Sequence, residues 1–513
     1  MSAAAGSAAP AAHRAPARAL RLDAQAWATL GLLAALGTLG ATGVLPLLGW
    51  TERLFPRARL PALFAVVAAG FLGLRRATAP APRRAIWLAA GLAATALVDV
   101  GFAAVVVAWS LAYALVLRAR VRARWKHLFL AGTLAAWIIA VNRDLWPGLA
   151  THPALERWGL LFALCFTLRA LWLHHELRLA GFPRLPISDV LATFLCAPLS
   201  PIVPYMLAIP RFGAIREALA TRRPALEAQG VRTLALGLAW ALLAEAVRRT
   251  LSPADHFYGA AHAGRWAEVV PLALLFYPVW QVVRVLGDAL LLVGMLRLYG
   301  VDIAPAFSAP LLAESVTEWW RRWNTHFRDL LVDLFYYPVV LRLRRHPRLG
   351  IVLGCGSVFL LGSTLLHWAT RWYFSSGTLR RPPLGLMAEN VAMGLVVTGA
   401  LLLERRRTRP PSTRWLARWR RRFTTWLLVF CCVVGLGYQV TWRTDGGPRA
   451  GALGAAAVAR TLHGSGRCAD ARHAAAAAQP SLTAALRRTP RDVALRTELT
   501  FVTALAQGEL PCP

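Results

Sequence analysis

Acidic residues are scarce in this chain: 25 Asp and Glu stand against 58 Lys and Arg, and charged residues of both signs make up only 16% of 513. A water-soluble protein carries roughly a quarter charged residues, so this shortage excludes a soluble globular shell. Also missing are a nucleotide-binding loop, a metal-ligating constellation, a Ser-His-Asp order, zinc-finger spacing and the aromatic-basic signature of an RNA-binding sheet. Their absence sets aside a transport ATPase, a metalloenzyme, a soluble hydrolase and nucleic acid as a partner. Cysteine is sparse, at seven residues. Five lie in or beside apolar runs and read as packing residues; adjacent Cys431 and Cys432 point in different directions on a helix.

What the chain does have is apolar length. Hydrophobic residues make up 57% and the mean hydropathy is +0.48, which reads as an all-α, polytopic membrane protein. Its net charge of +33 falls in blocks between apolar runs, the pattern of cytoplasmic loops beside anionic lipid. Against the ~20 residues needed to cross the hydrocarbon core, about eleven or twelve spans are expected. The clearer cores are residues 27–50, 159–173, 233–247, 266–286 continuing toward 298, 351–373, 384–403 and 423–442. Residues 61–74 and 128–141 are short. Residues 86–117 are too long and carry Asp99 and Gly101 at their centre, so they form either two short helices or one long tilted one. Pro198, Pro201 and Pro204 break residues 191–207, and broken or re-entrant helices at membrane depth need protein or a water-filled cavity to satisfy their freed backbone groups.

Residues 1–24 are rich in Ala, Pro and Arg and read as a disordered basic extension. The first apolar run is long enough to span, against a cleaved signal peptide. Residues 25–158 form the N-terminal transmembrane helices. Arginine blocks at 118–126, 342–348 and 404–422 mark cytoplasmic loops, and a last span at 423–442 then delivers residues 443–513 to the outside as a small helical tail. Helical patterns cover 469–478 and 482–504, the second interrupted by Pro490. Cys468 and Cys512 either pair in that oxidising compartment or stand as unrelated thiols.

One segment concentrates the chemistry. Val316, Trp319, Trp320, Trp323, Phe327, Leu330, Leu331 and Leu334 recur at three- and four-residue spacing, one stripe of an amphipathic interfacial helix. Glu318, Arg321, Arg322, Thr325, Arg328 and Asp329 fill the other side, and Glu318 lies one turn from Arg322, within pairing reach. Asn324 sits at the edge of the stripe, from where its amide can reach into the bundle. His367 follows within an apolar run, just after the small residues Gly362, Ser363 and Thr364. An intramembrane imidazole is costly without a role. It serves either as a structural hydrogen-bonding group or as a base toward a hydroxyl. His174 and His175 beside Glu176, His326 and His346 are weaker candidates.

The stretch from Gly287 through Gly294, Arg297, Gly300, Phe307, Pro310, Ala313, Ser315, Glu318, Trp320, Arg321, Arg322 and Trp323 to Asn324, continued by Asp333, Tyr336 and Pro338, resembles the membrane-bound O-acyltransferases. The likeness is to the bacterial branch of alginate O-acetylation and D-alanyl transfer. It implies a catalytic membrane core over residues 159–442 in a bacterial inner membrane, with membrane lipid around it. It implies His367 as catalytic base and Asn324 as the second polar catalytic residue. Arg321, Arg322, Glu318, Trp320, Trp323 and Ser363 are the implied substrate contacts; the two arginines bind either the donor or lipid headgroups. No cofactor and no metal are implied. The donor substrate is an acyl-CoA or acyl-carrier-protein thioester, and the acceptor is a hydroxyl of an envelope glycan, lipid or metabolite. The chain departs from the family pattern at Trp368, where a glycine usually follows the histidine, and in lacking an acidic residue before Gly287. A non-enzymatic transporter or scaffold that keeps the fold is the alternative.

Overall fold

The computed structural model describes residues 23–45, 57–141, 158, 166–199, 208–251, 277–366, 384–406, 414–434, 447–464, 466–488 and 493–511. Every regular element among them is helical. The N-terminal group is α1 (Ala24–Ala41), α2 (Leu60–Arg76), α3 (Pro80–Val98), α4 (Val100–Arg118) and α5 (Ala123–Val141). Next come α6 (Thr167–Leu179), α7 (Ile187–Phe194), α8 (Phe212–Ala220), α9 (Pro224–Leu251) and α10 (Tyr277–Leu298). The central segment holds α11 (Val316–Arg322), α12 (Thr325–Leu331), a π turn (Val332–Tyr336), α13 (Tyr337–Arg342), α14 (Pro347–Gly356) and a second π turn (Ser357–Ser363). The chain continues with α15 (Leu384–Arg406), α16 (Trp415–Trp426), a third π turn (Leu427–Val434), and the tail helices α17 (Gly447–Gly464), α18 (Cys468–Arg488) and α19 (Val493–Ala506).

Six helical stretches among the described residues are long and apolar enough to cross a membrane: Ala24–Ala41, Arg57–Arg76, Val100–Arg118, Pro224–Val247, Pro347–Leu366 and Met387–Arg406. The chain is therefore an all-α, multi-pass membrane protein. Several of the other expected spans reach into residues outside the described set, including 159–165, 266–276 and 435–442.

The over-long apolar run resolves into two helices, α3 and α4. Asp99 is extended between them (φ −164°, ψ 123°), and both helix ends are satisfied. Its carboxylate accepts from the backbone N–H of Phe102 at 2.9 Å and from Trp158 Nε1 at 3.1 Å. From the other side, Arg59 donates to the carbonyl of Leu97 at 2.9 Å. Gly101 is needed because a side chain there would run into the Trp158 indole.

Charged side chains meet other helix ends in the same way. Arg83, only 2% exposed, donates to the carbonyls of Leu74 and Ala77 at the end of α2 and of Ala218 in α8, at 2.7, 3.3 and 2.7 Å. Arg169 donates to Phe194 and Leu199, and Lys126 to Leu117. A cation near a helix C-terminus also complements the macrodipole.

Helices α9 and α10 pack backbone to backbone through four glycines. A Cβ at Gly237 would lie 2.6 Å from the amide nitrogen of Leu291, and one at Gly294 would lie 2.7 Å from that of Leu234. Gly230 and Gly287 make equally close approaches, so each helix contributes two glycines seven residues apart. Small residues at such spacing let membrane helices gain dispersion contacts that larger side chains would block.

In the tail, α17, α18 and α19 share their own core, built from Ala456, Ala471, Ala475, Leu482, Leu495 and Val502. Two corrections to the sequence reading apply. The 447–464 helix was not expected, and α18 runs through Pro480 to Arg488, so Leu482 belongs to it rather than to the last helix. Cys468 is disulfide-bonded, while Cys512 and Pro490 lie outside the described residues. Cys196 and Cys355 are buried thiols outside any disulfide, as packing residues should be.

Backbone contact between α9 and α10 leaves no room to give. Gly294→Ala is expected to destabilise the folded protein by about 1–3 kcal/mol, read as an earlier thermal unfolding transition in detergent, whereas Gly399→Ala, which meets open space, should leave it unchanged.

Candidate functional site

The apolar stripe from Val316 to Leu334 does not form one helix. It breaks after α11, where Asn324 adopts a left-handed conformation (φ 42°, ψ 63°) and caps α12. Asn tolerates this region better than most residues. The stripe stays in register across the break, with Val316, Trp319, Phe327, Leu330 and Leu331 all buried. Backbone groups freed by the break bond to an irregular strip at residues 304–309. Ser308 N–H donates to the Arg322 carbonyl at 3.0 Å, and Thr325 N–H donates to that of Ala306 at 2.8 Å. His326 is spent here as well, its Nε2 2.9 Å from the Ala304 carbonyl.

The start of α11 is a variant of the capping box, in which the glutamate reaches one residue before the N-cap. Ser315 Oγ accepts from the N–H of Glu318 at 3.1 Å, and the Glu318 carboxylate reaches back to the N–H of Glu314 at 2.6 Å. That carboxylate also pairs with Arg322, as the one-turn spacing predicts. Arg322 donates further to the Ala309 carbonyl. Arg321 is exposed. The two arginines are therefore inequivalent: one is bound into the segment and the other is presented outward.

Each tryptophan meets another aromatic ring. Trp319 stacks on Trp323 with ring centres 5.1 Å apart and meets Phe430 edge-on. Trp323 packs edge-on against Phe307 at 4.9 Å. Trp320 lies 4.7 Å from Phe359, inside the second π turn. That turn also meets the first one. Ser357 Oγ lies 2.9 Å from the Phe335 carbonyl and 2.7 Å from that of Gly354, and a Cβ at Gly362 would sit 2.7 Å from the Phe335 ring and 2.8 Å from Leu331. Small residues before position 367 thus admit a neighbouring helix.

These contacts bring Glu318, Trp320, Arg322, Trp323 and Asn324 onto one segment packed beside Ser363. Ser363 is 3% exposed and donates to Asn390 Oδ1 of α15 at 3.1 Å. His367 lies outside the described residues. Asn324 uses its Oδ1 toward the N–H of Phe327 at a long 3.4 Å, and its Nδ2 donates to no described residue.

Three features escaped the sequence reading. Glu314 gathers Arg418, Arg421 and Arg422, with Arg418 Nε at 2.8 Å, and hydrogen bonds from Arg421 and Arg418 hold its carboxyl below the ordinary range. Thr317 donates to Glu404 at the end of α15. Both pairings join positions about ninety to one hundred residues apart, which no local pattern reveals. Asn390 could have been flagged, since a lone amide within an apolar span is costly unless it is used.

His174 and His175 diverge. His175 faces Asp333 at 4.0 Å. His174 is held in a chain, with Tyr113 OH 2.8 Å from its Nδ1 and His127 Nδ1 2.6 Å from its Nε2.

No family model matches the chain, and no curated protein matches it.

Burial, then the neighbouring His127, lowers the His174 pKa from 6.5 to about 4. Above pH 6.5 the imidazole is neutral in both the folded and unfolded chain. Between 6.5 and about 4 the unfolded chain takes up a proton that the folded one refuses, so stability falls as pH falls through that window. Unfolding temperature in detergent should drop across it, and His174→Gln should flatten the slope.

Proposed function

We propose that the protein is a membrane-embedded O-acyltransferase. What supports this reading is the resemblance in sequence together with the packing of the Trp-Trp-Arg-Arg-Trp-Asn segment, through Trp320 on Phe359, against the π turn that ends at Ser363.

The chemistry follows from the donors and acceptors present. A neutral His367 imidazole removes the proton of an acceptor hydroxyl, and the oxygen attacks the thioester carbonyl carbon of the donor. Charge develops on the former carbonyl oxygen. The unspent Asn324 Nδ2–H is of the kind that stabilises such an oxyanion when preorganised. Collapse forms the ester and expels the thiolate, which takes the proton from the imidazolium. Arg321, exposed and turned outward, suits the phosphate of an acyl-CoA or of an acyl-carrier pantetheine arm. Arg322, Glu318, Trp320 and Trp323 then act by shaping the segment. The acceptor belongs to an envelope glycan, lipid or metabolite, and the bacterial inner membrane is the expected location.

His367→Ala should abolish acyl transfer in a folded, inserted protein; retained activity would sink the proposal. Asn324 allows a sharper comparison. Asn324→Gly keeps the left-handed backbone at no steric cost yet removes the amide, so an oxyanion role predicts roughly a 10²- to 10³-fold loss of kcat. A purely conformational role predicts near-normal turnover for Gly and loss only for Ala. Lipid and glycan mass spectrometry of a deletion strain should show a missing acyl mass that identifies the acceptor.

A further inference from the structure

Helix α16 turns large apolar side chains outward along one side and holds arginines against the protein along another. Trp415, Leu416, Trp419 and Phe423 are 72, 73, 46 and 60% exposed, and their spacing puts them on one side of the helix. Trp415 meets Trp419 edge-on, with ring centres 6.2 Å apart. Toward the protein, Thr425 is buried and Arg418, Arg421 and Arg422 converge on Glu314. One carboxylate against three guanidiniums leaves an excess of two positive charges there, and the exposed Arg420 adds to it on the same helix.

Glu314 does not use up these donors. Arg422 reaches it through Nη2 at 3.5 Å, while its buried Nε bonds to no described residue. Arg418 spends its Nε at 2.8 Å, and its two Nη groups donate to no described residue. Trp415 precedes Arg418 by three residues and Trp419 precedes Arg422 by three, so a row of cations runs beside a row of indoles. The Arg422 guanidinium lies 5.2 Å from the Trp419 ring centre. The depth of this edge follows from its neighbours. Helix α16 passes without a break into the apolar turn Leu427–Val434. Glu314 stands three residues before Thr317, which donates to Glu404 near the end of the span-length helix Met387–Arg406. The arginine cluster is therefore level with the end of a span, where headgroup phosphates lie.

We propose that this edge of α16 binds an anionic phospholipid: Arg418 and Arg422 take the headgroup phosphate, and the outward side at Trp415, Leu416, Trp419 and Phe423 takes the acyl chains. Guanidinium donors match phosphate oxygens, and the excess of positive charge selects an anionic headgroup over a zwitterionic one. An amphipathic helix with tryptophans beside arginines suits the same depth. A free phosphate would use the cations alone and leave the four apolar side chains without a partner. The site does not depend on the acyl-transfer reading.

The test uses the full-length protein in a neutral detergent and a phosphatidylglycerol carrying a photoactivatable acyl chain, with crosslinks mapped by peptide mass spectrometry. Label should fall on residues 415–423, and a phosphatidylcholine with the same chain should label them roughly fivefold less or weaker still, the effect of about one basic side chain at an anionic surface. Arg422→Gln should lower the phosphatidylglycerol label roughly fivefold. Glu314→Gln should raise it, because the carboxylate that competes for the same guanidiniums is gone; a purely structural cluster predicts no gain. Trp415→Ala combined with Trp419→Ala removes rings that face outward, should also lower the label, and serves where the arginine variant fails to fold. Equal labelling by the two lipids, or label confined to other segments, overturns the proposal. So does displacement of the lipid by glycerol phosphate at equal concentration, which would mark a site for free phosphate.

Discussion

Free carbonyl groups at the ends of broken helices are the constraint around which this bundle is built. A straight transmembrane helix satisfies its own backbone; a broken one leaves up to four carbonyls at each C-terminus, costly wherever water is excluded. Here donors from elsewhere in the chain meet those ends. Arg83 serves two helices at once, Arg59 covers the end of α3, Lys126 that of α4, and Arg169 that of α7. A neutral donor does the same, Trp87 at Ala192. Part of the large positive charge is thus consumed inside the fold. A long cation is suited to this because its stem packs among apolar side chains while its head carries several donors to more than one carbonyl.

That division explains which parts of the architecture were legible in advance. Helices are readable because apolar length and three- to four-residue spacing are local properties. The break at Asp99 was half readable: an acid and a glycine in the middle of an apolar run forced a choice between two helices and one, and the Trp158 indole and the Arg59 guanidinium that favour two come from elsewhere in the chain. The break at Asn324 was hidden for a different reason. Both short helices bury the same stripe, so periodicity continues through the turn as though nothing had happened. What sustains the turn is the strip at 304–309, whose carbonyls have no sequence signature.

The candidate site divides along the same line. Pairing of Glu318 with Arg322 follows from helix geometry, and the resemblance in sequence singled out Asn324 and Ser363 as residues of interest. The partners of Ser363 and Glu314 lie 27 and more than one hundred residues away. Composition announced that arginines would crowd residues 404–422, but not that three of them would converge on a single carboxylate at the entrance to α11. That convergence changes the meaning of the basic block: Arg418, Arg421 and Arg422 tie α16 to the start of the central segment.

Two π turns packed against one another give the central segment its rigidity. Each inserts an extra residue into a helix, which widens the turn and loosens the backbone ladder. Thr364 donates to the Phe359 carbonyl, and the Ser357 hydroxyl lies within reach of the Phe335 and Gly354 carbonyls. The same two phenylalanines supply the ring contacts, Phe359 against Trp320 and Phe335 against Gly362. At Phe359 a hydroxyl bond to the backbone and an aromatic contact therefore coincide. For the proposed transferase such a contact would matter, because catalytic groups gain little from proximity unless their supports hold one orientation.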